Sequence, residues 1–391
     1  LSCNSLLSPS FKQKKPNIVI LFLESYSARL TGVYNPRFKN VTPGLEAMAI
    51  DPNTTIFKNY YNASTPTITG ILSLMCSFLP PTGHNEIQND RKLQSHRLQC
   101  LPELLKKYAG FKYANYITAV DKEFAHKDGI FTSMGIDEVW GTSELSRIIE
   151  GKPLAWGYSD HQMFPTLLKF MKEHEKKQPF LLSLSTIDTH PPFNLAQDEL
   201  PYGDGKEPVL NTFHTTDDAL YRFWKDFKTS PFASNTIVIA VADHAIFPAA
   251  LTRNLFPSEA KTLTYYDENV FLMYVPESVL PRVVTTTASG IDFAPTLSHL
   301  YGINVTTTFE GHSIFDDRRA YPNIIGMHEL GLYSNELLPS GKRVISYDVP
   351  DNLVCPDAHT VSSTAPLTLC ELKELYQWKR RMLEEGRLWK P

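Results

Sequence analysis

The chain has 391 residues, 42% of them apolar and 20% charged, with a net charge of −4. That length can bury a large core, and the charge balance offers no basic field for nucleic acid. No apolar stretch approaches the roughly 20 residues that span a bilayer, and five cysteines are too few for a disulfide scaffold.

The first residues lack the basic-then-apolar order of a secretory signal, so Leu1 reads as the start of an excised soluble part, with any anchor outside this sequence. Residues 1–15 are polar and basic and read as a tail. Continuous apolar runs at 17–23, 112–119, 179–185, 236–242 and 269–275 read as strands covered on both faces. Amphipathic helix candidates lie between them, at 68–78, 101–109, 162–174, 216–228 and 291–301. This alternation predicts an α/β fold, with a mostly parallel central sheet sandwiched by helices. Beyond about residue 305 the pattern changes to short strand-like pieces such as 343–348, many turns, and one charged helix over 371–388. Residues 16–304 therefore read as one catalytic-sized domain, and 305–391 as a small C-terminal α+β addition packed on the same core. Cys76 and Cys100 flank one polar stretch, and Cys355 and Cys370 flank another. Both pairs are expected to be bridged, which implies an oxidising compartment; Cys3 is left over.

Two of the strands run directly into metal-ligating residue types. Pro16-Asn-Ile-Val-Ile-Leu-Phe-Leu23 leads into Glu24, and Asn235-Thr-Ile-Val-Ile-Ala-Val-Ala242 leads into Asp243-His244. In open α/β sheets, ligands bind beyond the carboxyl ends of the strands. Two carboxylates and an imidazole suit one divalent cation, Mn²⁺, Zn²⁺ or Mg²⁺, and leave a position for water, substrate or a nucleophile. Ala63-Ser-Thr-Pro-Thr67-Ile-Thr-Gly70 precedes an apolar helix and offers Thr67 as that nucleophile. A helix start favours an adjacent anion, and metal coordination lowers a hydroxyl pKa. The competing reading of Thr67 is an N-cap. His190 follows the strand Phe180-Leu-Leu-Ser-Leu-Ser185 and suits a hydrogen bond to a phosphate oxygen or leaving group. A loop histidine satisfied by local backbone is the competing reading there.

Taken together, these residues resemble the alkaline phosphatase superfamily. The match is to its sulfatase-like branch of lipoteichoic acid synthases, phosphoglycerol transferases and phosphoethanolamine transferases. The ordered matches are Leu23-Glu24-Ser25, Thr42-Pro43-Gly44-Leu45, Thr67-Ile-Thr-Gly70 with Met75-Cys76-Ser77, Asn235-Thr236 through Asp243-His244, Asp292-Phe-Ala-Pro295-Thr296-Leu297, and Gly311-His-Ser313. They cover roughly residues 16–316. The resemblance implies that Glu24, Thr67, Asp243 and His244 hold one divalent metal, that Thr67 is also the covalent nucleophile, and that His190 contacts the substrate phosphate. Trp156-Gly-Tyr-Ser-Asp160 resembles a segment near the family's substrate pocket, which makes Asp160 a substrate-side candidate, with a helix N-cap as its other reading.

The implied activity is transfer of a phospho-alcohol group, of the phosphoglycerol or phosphoethanolamine type, through a phospho-threonine. The donor would be a phospholipid or other phosphodiester and the acceptor a glycan or glycolipid. The implied location is extracellular, periplasmic or the secretory lumen, at a membrane surface reached through a segment outside this chain. A sulfatase-like hydrolase using the same site is the alternative. A catalytically dead glycan-binding module is a further one, disfavoured because all four ligand positions are filled. The chain departs from true sulfatases: Cys76-Ser-Phe-Leu-Pro80 lacks the arginine of the formylglycine motif, and Glu24-Ser25 stands where they carry adjacent aspartates.

Overall fold

The computed structural model describes residues 5–80, 99–154, 156–195, 199–247, 252, 255, 267–316, 325–328, 331–337, 343–347 and 369–385. The strands in chain order are β1 (Asn17–Leu23), β2 (Thr54–Phe57), β3 (Tyr60–Tyr61), β4 (Tyr113–Thr118), β5 (Glu138–Trp140), β6 (Phe180–Ser185), β7 (Thr236–Ala242), β8 (Phe271–Tyr274), β9 (Val283–Val284) and β10 (Ala288–Ser289). Eight of them form one sheet in the order β5-β4-β6-β1-β7-β8-β2-β9. The five from β5 to β7 are parallel, and β8 runs antiparallel to both β7 and β2.

β1 and β7 lie at the centre, and every residue of both is buried. Along β1 the side chains alternate between two cores. Val19, Leu21 and Leu23 face one, and Ile18, Ile20 and Phe22 face the other. This two-sided burial is why the run is apolar throughout rather than alternating. One core is closed by helices Pro43–Ile50, Asp160–Glu173 and Pro208–Thr229. The other is closed by helices Thr67–Cys76, Leu101–Tyr108 and Phe293–Leu300.

The sheet matches the α/β expectation, with β8 as its antiparallel exception. The short strands β2 and β5 and the helices Pro43–Ile50 and Lys127–Ser133 add to the predicted set. The long helix begins at Pro208 rather than 216, because proline suits the first helical turn and Val209, Leu210 and Phe213 are buried there.

Past residue 316, strands β11 (Ile325–His328), β12 (Gly331–Leu337) and β13 (Arg343–Tyr347) form a separate antiparallel sheet, followed by helix Leu369–Glu384. That helix is tied to the second of the two cores, beside helix Thr67–Cys76, by Lys379. Its buried ammonium donates to the Leu79 carbonyl at 2.8 Å, pairs with Glu310, and lies 4.2 Å from the centre of the Phe78 ring. Cys76 and Cys100 are disulfide-bonded, joining the end of one helix to the start of the next. Cys3 and Cys355 lie outside the described residues, and the expected Cys355–Cys370 bridge with them.

Candidate active site

Glu24 follows directly on β1, and its backbone is braced by the loop after β6. Its N–H donates to Thr186 Oγ1 at 2.9 Å, and Thr189 Oγ1 donates to its carbonyl at 2.5 Å. Ser25 then adopts a left-handed φ of 57°. This turn lets the Ser25 N–H donate to Asp243 Oδ1 at 3.0 Å while its hydroxyl donates to Glu24 Oε1 at 2.8 Å. β1 and β7 are adjacent and in register, Leu23 opposite Ala242, so Glu24 and Asp243 emerge side by side.

One ligand atom each from Glu24, Asp243 and His244 lies within 4.8 Å of the others, and all three side chains are buried. His244 Nε2 is 3.3 Å from Glu24 Oε1 and 3.7 Å from Asp243 Oδ2. His244 Nδ1 lies 2.8 Å from the Ala245 carbonyl, so that nitrogen donates a proton and the ring is oriented with Nε2 toward the carboxylates.

The electrostatics describe a site arranged around a positive charge. Burial penalises the charge on Glu24, but His244 overrides it and holds the carboxyl below its usual range. Burial and the Glu24 charge push Asp243 up to about 8. Burial opposes the imidazolium of His244, yet Asp243 and Glu24 raise it to about 10. Two crowded buried carboxylates demand a compensating cation, and the donor set of two carboxylates and an imidazole fits a divalent metal.

Thr67 is the first residue of its helix, and Pro66 occupies the N-cap position. The Thr67 hydroxyl is therefore free of capping and donates to Glu24 Oε2 at 3.0 Å. Gly70, one turn on, fixes the approach: a Cβ there would lie 2.2 Å from the Asp243 carbonyl oxygen. The helix start thus sits against the end of β7 because residue 70 has no side chain.

His190 lies in the loop after β6, its N–H bonded to the Ile187 carbonyl at 2.8 Å. Its Nδ1 contacts the Pro191 carbonyl at 2.7 Å, leaving Nε2 open, and Glu24 feels its field. The Trp156 ring lies 4.4 Å from the imidazole. Asp160 is fully buried beneath this loop. It accepts from the N–H groups of Ile187 at 2.9 Å and Asp188 at 3.2 Å, and from Thr216 Oγ1 at 2.7 Å. Its carboxylate is thus engaged with the loop that carries His190. The helix cap beside it is Ser159, whose N–H donates to Gln162 Oε1.

Of the aromatics near the site motifs, Tyr26, Tyr158 and Phe193 are core, while Phe247 lies 5.1 Å from the His244 ring. Lys127 escaped the sequence reading. It is 5% exposed, and its ammonium sits 4.7 Å from the Phe124 ring centre and 3.4 Å from the Phe124 carbonyl. Burial lowers it to about 8, against the pull of Glu24 and Asp243. The available signal was its position on the segment that follows the carboxyl end of β4, another parallel strand of the same sheet, nine residues past Thr118.

A family model described as Sulfatase matches residues 16–303. Lipoteichoic acid synthase 2 of Bacillus subtilis is 24% identical over 314 residues, 75% of this chain and 46% of that protein. Phosphoglycerol transferase I of Xanthomonas campestris pv. campestris is 26% identical over 316 residues, 77% of this chain and 43% of that protein. The chain therefore spans less than half the length of either relative. A protein in the alkaline phosphatase superfamily from Vibrio parahaemolyticus superposes with a TM-score of 0.73 at 19% identity, covering 100% of this chain and 95% of the other. The lipoteichoic acid synthase LtaP from Listeria monocytogenes superposes at 0.68 with 19% identity, covering 98% and 94%. Cys76, at the far end of the helix that Thr67 begins, is bridged to Cys100. With this fold, this ligand set and a family model covering most of its length, the chain belongs to the Sulfatase family of enzymes.

Proposed function

We propose that this chain transfers a phospho-alcohol group from a phosphodiester donor through a phospho-threonine on Thr67. The observation that carries the reading is the uncapped Thr67 hydroxyl, 3.0 Å from Glu24 within reach of the Glu24–Asp243–His244 group. Glu24, Asp243, His244 and Thr67 would hold one divalent metal, which when bound supplies charge neutralisation and lowers the hydroxyl pKa. Thr67 Oγ forms a bond to phosphorus while the donor's other P–O ester bond, to its lipid or second alcohol, breaks in line; that alcohol leaves with the proton that Thr67 gives up, and the phospho-alcohol group stays on Thr67. An acceptor hydroxyl, or water, then forms the new P–O bond and releases Thr67. The open Nε2 of His190 and the ammonium of Lys127 face charge that builds on the equatorial phosphate oxygens. Asp160 acts as a positioning residue, since its carboxylate holds the backbone leading to His190.

The names of the relatives support a phospholipid donor of the phosphoglycerol type and a glycan or glycolipid acceptor. The likeness to the periplasmic domain of EcEptC from Escherichia coli, with a TM-score of 0.56 at 18% identity, supports a location outside the cytoplasm. No helix among the described residues is long and apolar enough to cross a membrane. The catalytic unit is residues 16–304, with 305–391 as an addition. Turnover of phosphatidylglycerol with added manganese tests the reading. Thr67→Ala is expected to lose at least about 10³-fold in kcat with the fold retained. Full activity in that variant would remove Thr67 from the chemistry.

A further inference from the structure

A cleft of about 530 Å³ opens beside the loop that carries His190, and none of its lining residues belongs to the metal-ligand group. One wall is the start of helix Asp160–Glu173, another the middle of helix Pro208–Thr229, and the rest is the segments around Leu154 and Leu200. Its floor is a hydrogen-bonded network. His161 Nε2 is 2.9 Å from Asp218 Oδ2, His161 Nδ1 is 3.4 Å from Glu199 Oε1, and Arg222 reaches the same Asp218 oxygen at 2.8 Å. His214 Nδ1 lies 2.9 Å from the Val41 carbonyl, so this nitrogen donates and Nε2 is left as an acceptor. Above this polar floor stand two exposed apolar side chains, Leu154 at 49% and Leu200 at 78%.

The cleft is linked to the reacting centre through one short turn. Leu154 and Gly157 exchange backbone hydrogen bonds at 2.6 and 3.2 Å, and Trp156 within that turn packs on His190. Below, Asp160 adjoins His161 and holds the loop leading to His190. Trp156 and His190 stand beyond the lining of the cleft, so a molecule bound there and long enough to run past Trp156 would reach His190.

The chemistry of the lining selects the ligand. The carboxylates Glu199 and Asp218 are matched by the cations Lys152 and Arg222, so no field of one sign remains to draw in a polyanion. What remains is a set of fixed hydrogen-bond acceptors and donors beside an apolar face, which is the pattern that grips hydroxyls and the C–H face of a sugar ring. We infer that this cleft is the acceptor subsite and that it holds a neutral, hydroxyl-rich ligand, a saccharide or polyol chain. The assignment rests on the transfer reading above, in which a hydroxyl displaces Thr67.

The test titrates the full chain calorimetrically with laminarihexaose, a neutral oligosaccharide, and with an oligo(glycerol phosphate) of similar length. The measurements are repeated on Asp218→Ala, Arg222→Ala and Leu200→Ser, each checked for folding by circular dichroism. Laminarihexaose is expected to bind the unaltered chain saturably and about tenfold more weakly to each variant. In the transfer assay the acceptor KM is expected to rise by a similar factor, while donor cleavage without acceptor stays within about twofold of the unaltered rate. Equal saccharide affinity in all variants, no saccharide binding at all, or tighter binding of the glycerol phosphate oligomer would each overturn the assignment. Absence of any phosphorylated Thr67 alongside intact, variant-sensitive saccharide binding would overturn the transfer reading and leave the cleft as a saccharide site.

Discussion

At the scale of single residues, the group Glu24, Asp243 and His244 is held by bonds that leave its charges unresolved without a cation. At neutral pH, His244, raised to about 10, and Asp243, raised to about 8, both carry a proton. Those protons stand where a divalent ion would place its charge, and ligands must be deprotonated to coordinate. Binding of Mn²⁺ or Zn²⁺ at pH 7 is therefore expected to release about two protons per ion. Calorimetry in buffers of different ionisation enthalpy reads this directly, and a release near zero would contradict the charge state described. Lys127 gives a second residue-scale prediction. An unfolded lysine keeps its proton to about pH 10, whereas buried Lys127 loses it near 8. Below pH 8 the folded chain bears the full cost of the buried ammonium. Between the two values the unfolded chain binds more protons, so stability rises with pH. Lys127→Met, which keeps the side-chain volume, is expected to stabilise the chelated protein by up to about 3 kcal/mol at pH 7. It is also expected to lower kcat/KM about 10²-fold. In thermal melts the stability gain should shrink as pH is raised toward 10; a variant less stable than the parent at pH 7 would refute this account of the lysine.

Elements carry the site because four chain segments end at one edge of the sheet. β1 delivers Glu24, β7 delivers Asp243 and His244, the loop after β6 delivers His190, and the helix starting at Thr67 closes the group. The closeness of that helix is set at Gly70, against the Asp243 carbonyl. Gly70→Ala forces the two apart, and overpacking of this kind costs about 1–3 kcal/mol. A shift of about 1 Å at a reacting atom costs on the order of 10²-fold in rate. Gly70→Ala is accordingly expected to lose far more activity than stability, measured as kcat beside the midpoint of thermal unfolding. Wild-type kcat in that variant would mean that the helix start is not what positions Thr67. The strand ends were readable in the sequence because central parallel strands are apolar throughout and stop abruptly at a polar residue, as Leu23 does at Glu24 and Ala242 at Asp243. β2 and β5 were not, since strands of four and three residues leave no periodic signal.

At the scale of the whole molecule, the sequence pointed to the sheet, its flanking helices and the residues Glu24, Thr67, His190, Asp243 and His244 through ordered motifs over residues 16–316. The surroundings of those residues were not legible. Lys127 lies among polar neighbours in Asp121-Lys-Glu-Phe-Ala-His-Lys127-Asp128, and nothing in that string says which lysine is buried. Asp160 reads locally as a helix start, while its partners Ile187, Asp188 and Thr216 come from distant parts of the chain. The cleft around His161, Glu199 and Asp218 is likewise assembled from four segments with no shared motif. The central claim is that these converging segments turn one hydroxyl into a nucleophile toward phosphorus. Its most direct test is peptide mapping by mass spectrometry of the metal-loaded protein, quenched during turnover of phosphatidylglycerol. The account predicts a glycerophosphoryl adduct on Thr67. An adduct on Thr65 or Thr69 instead, or sustained turnover with no adduct on the chain, would contradict it.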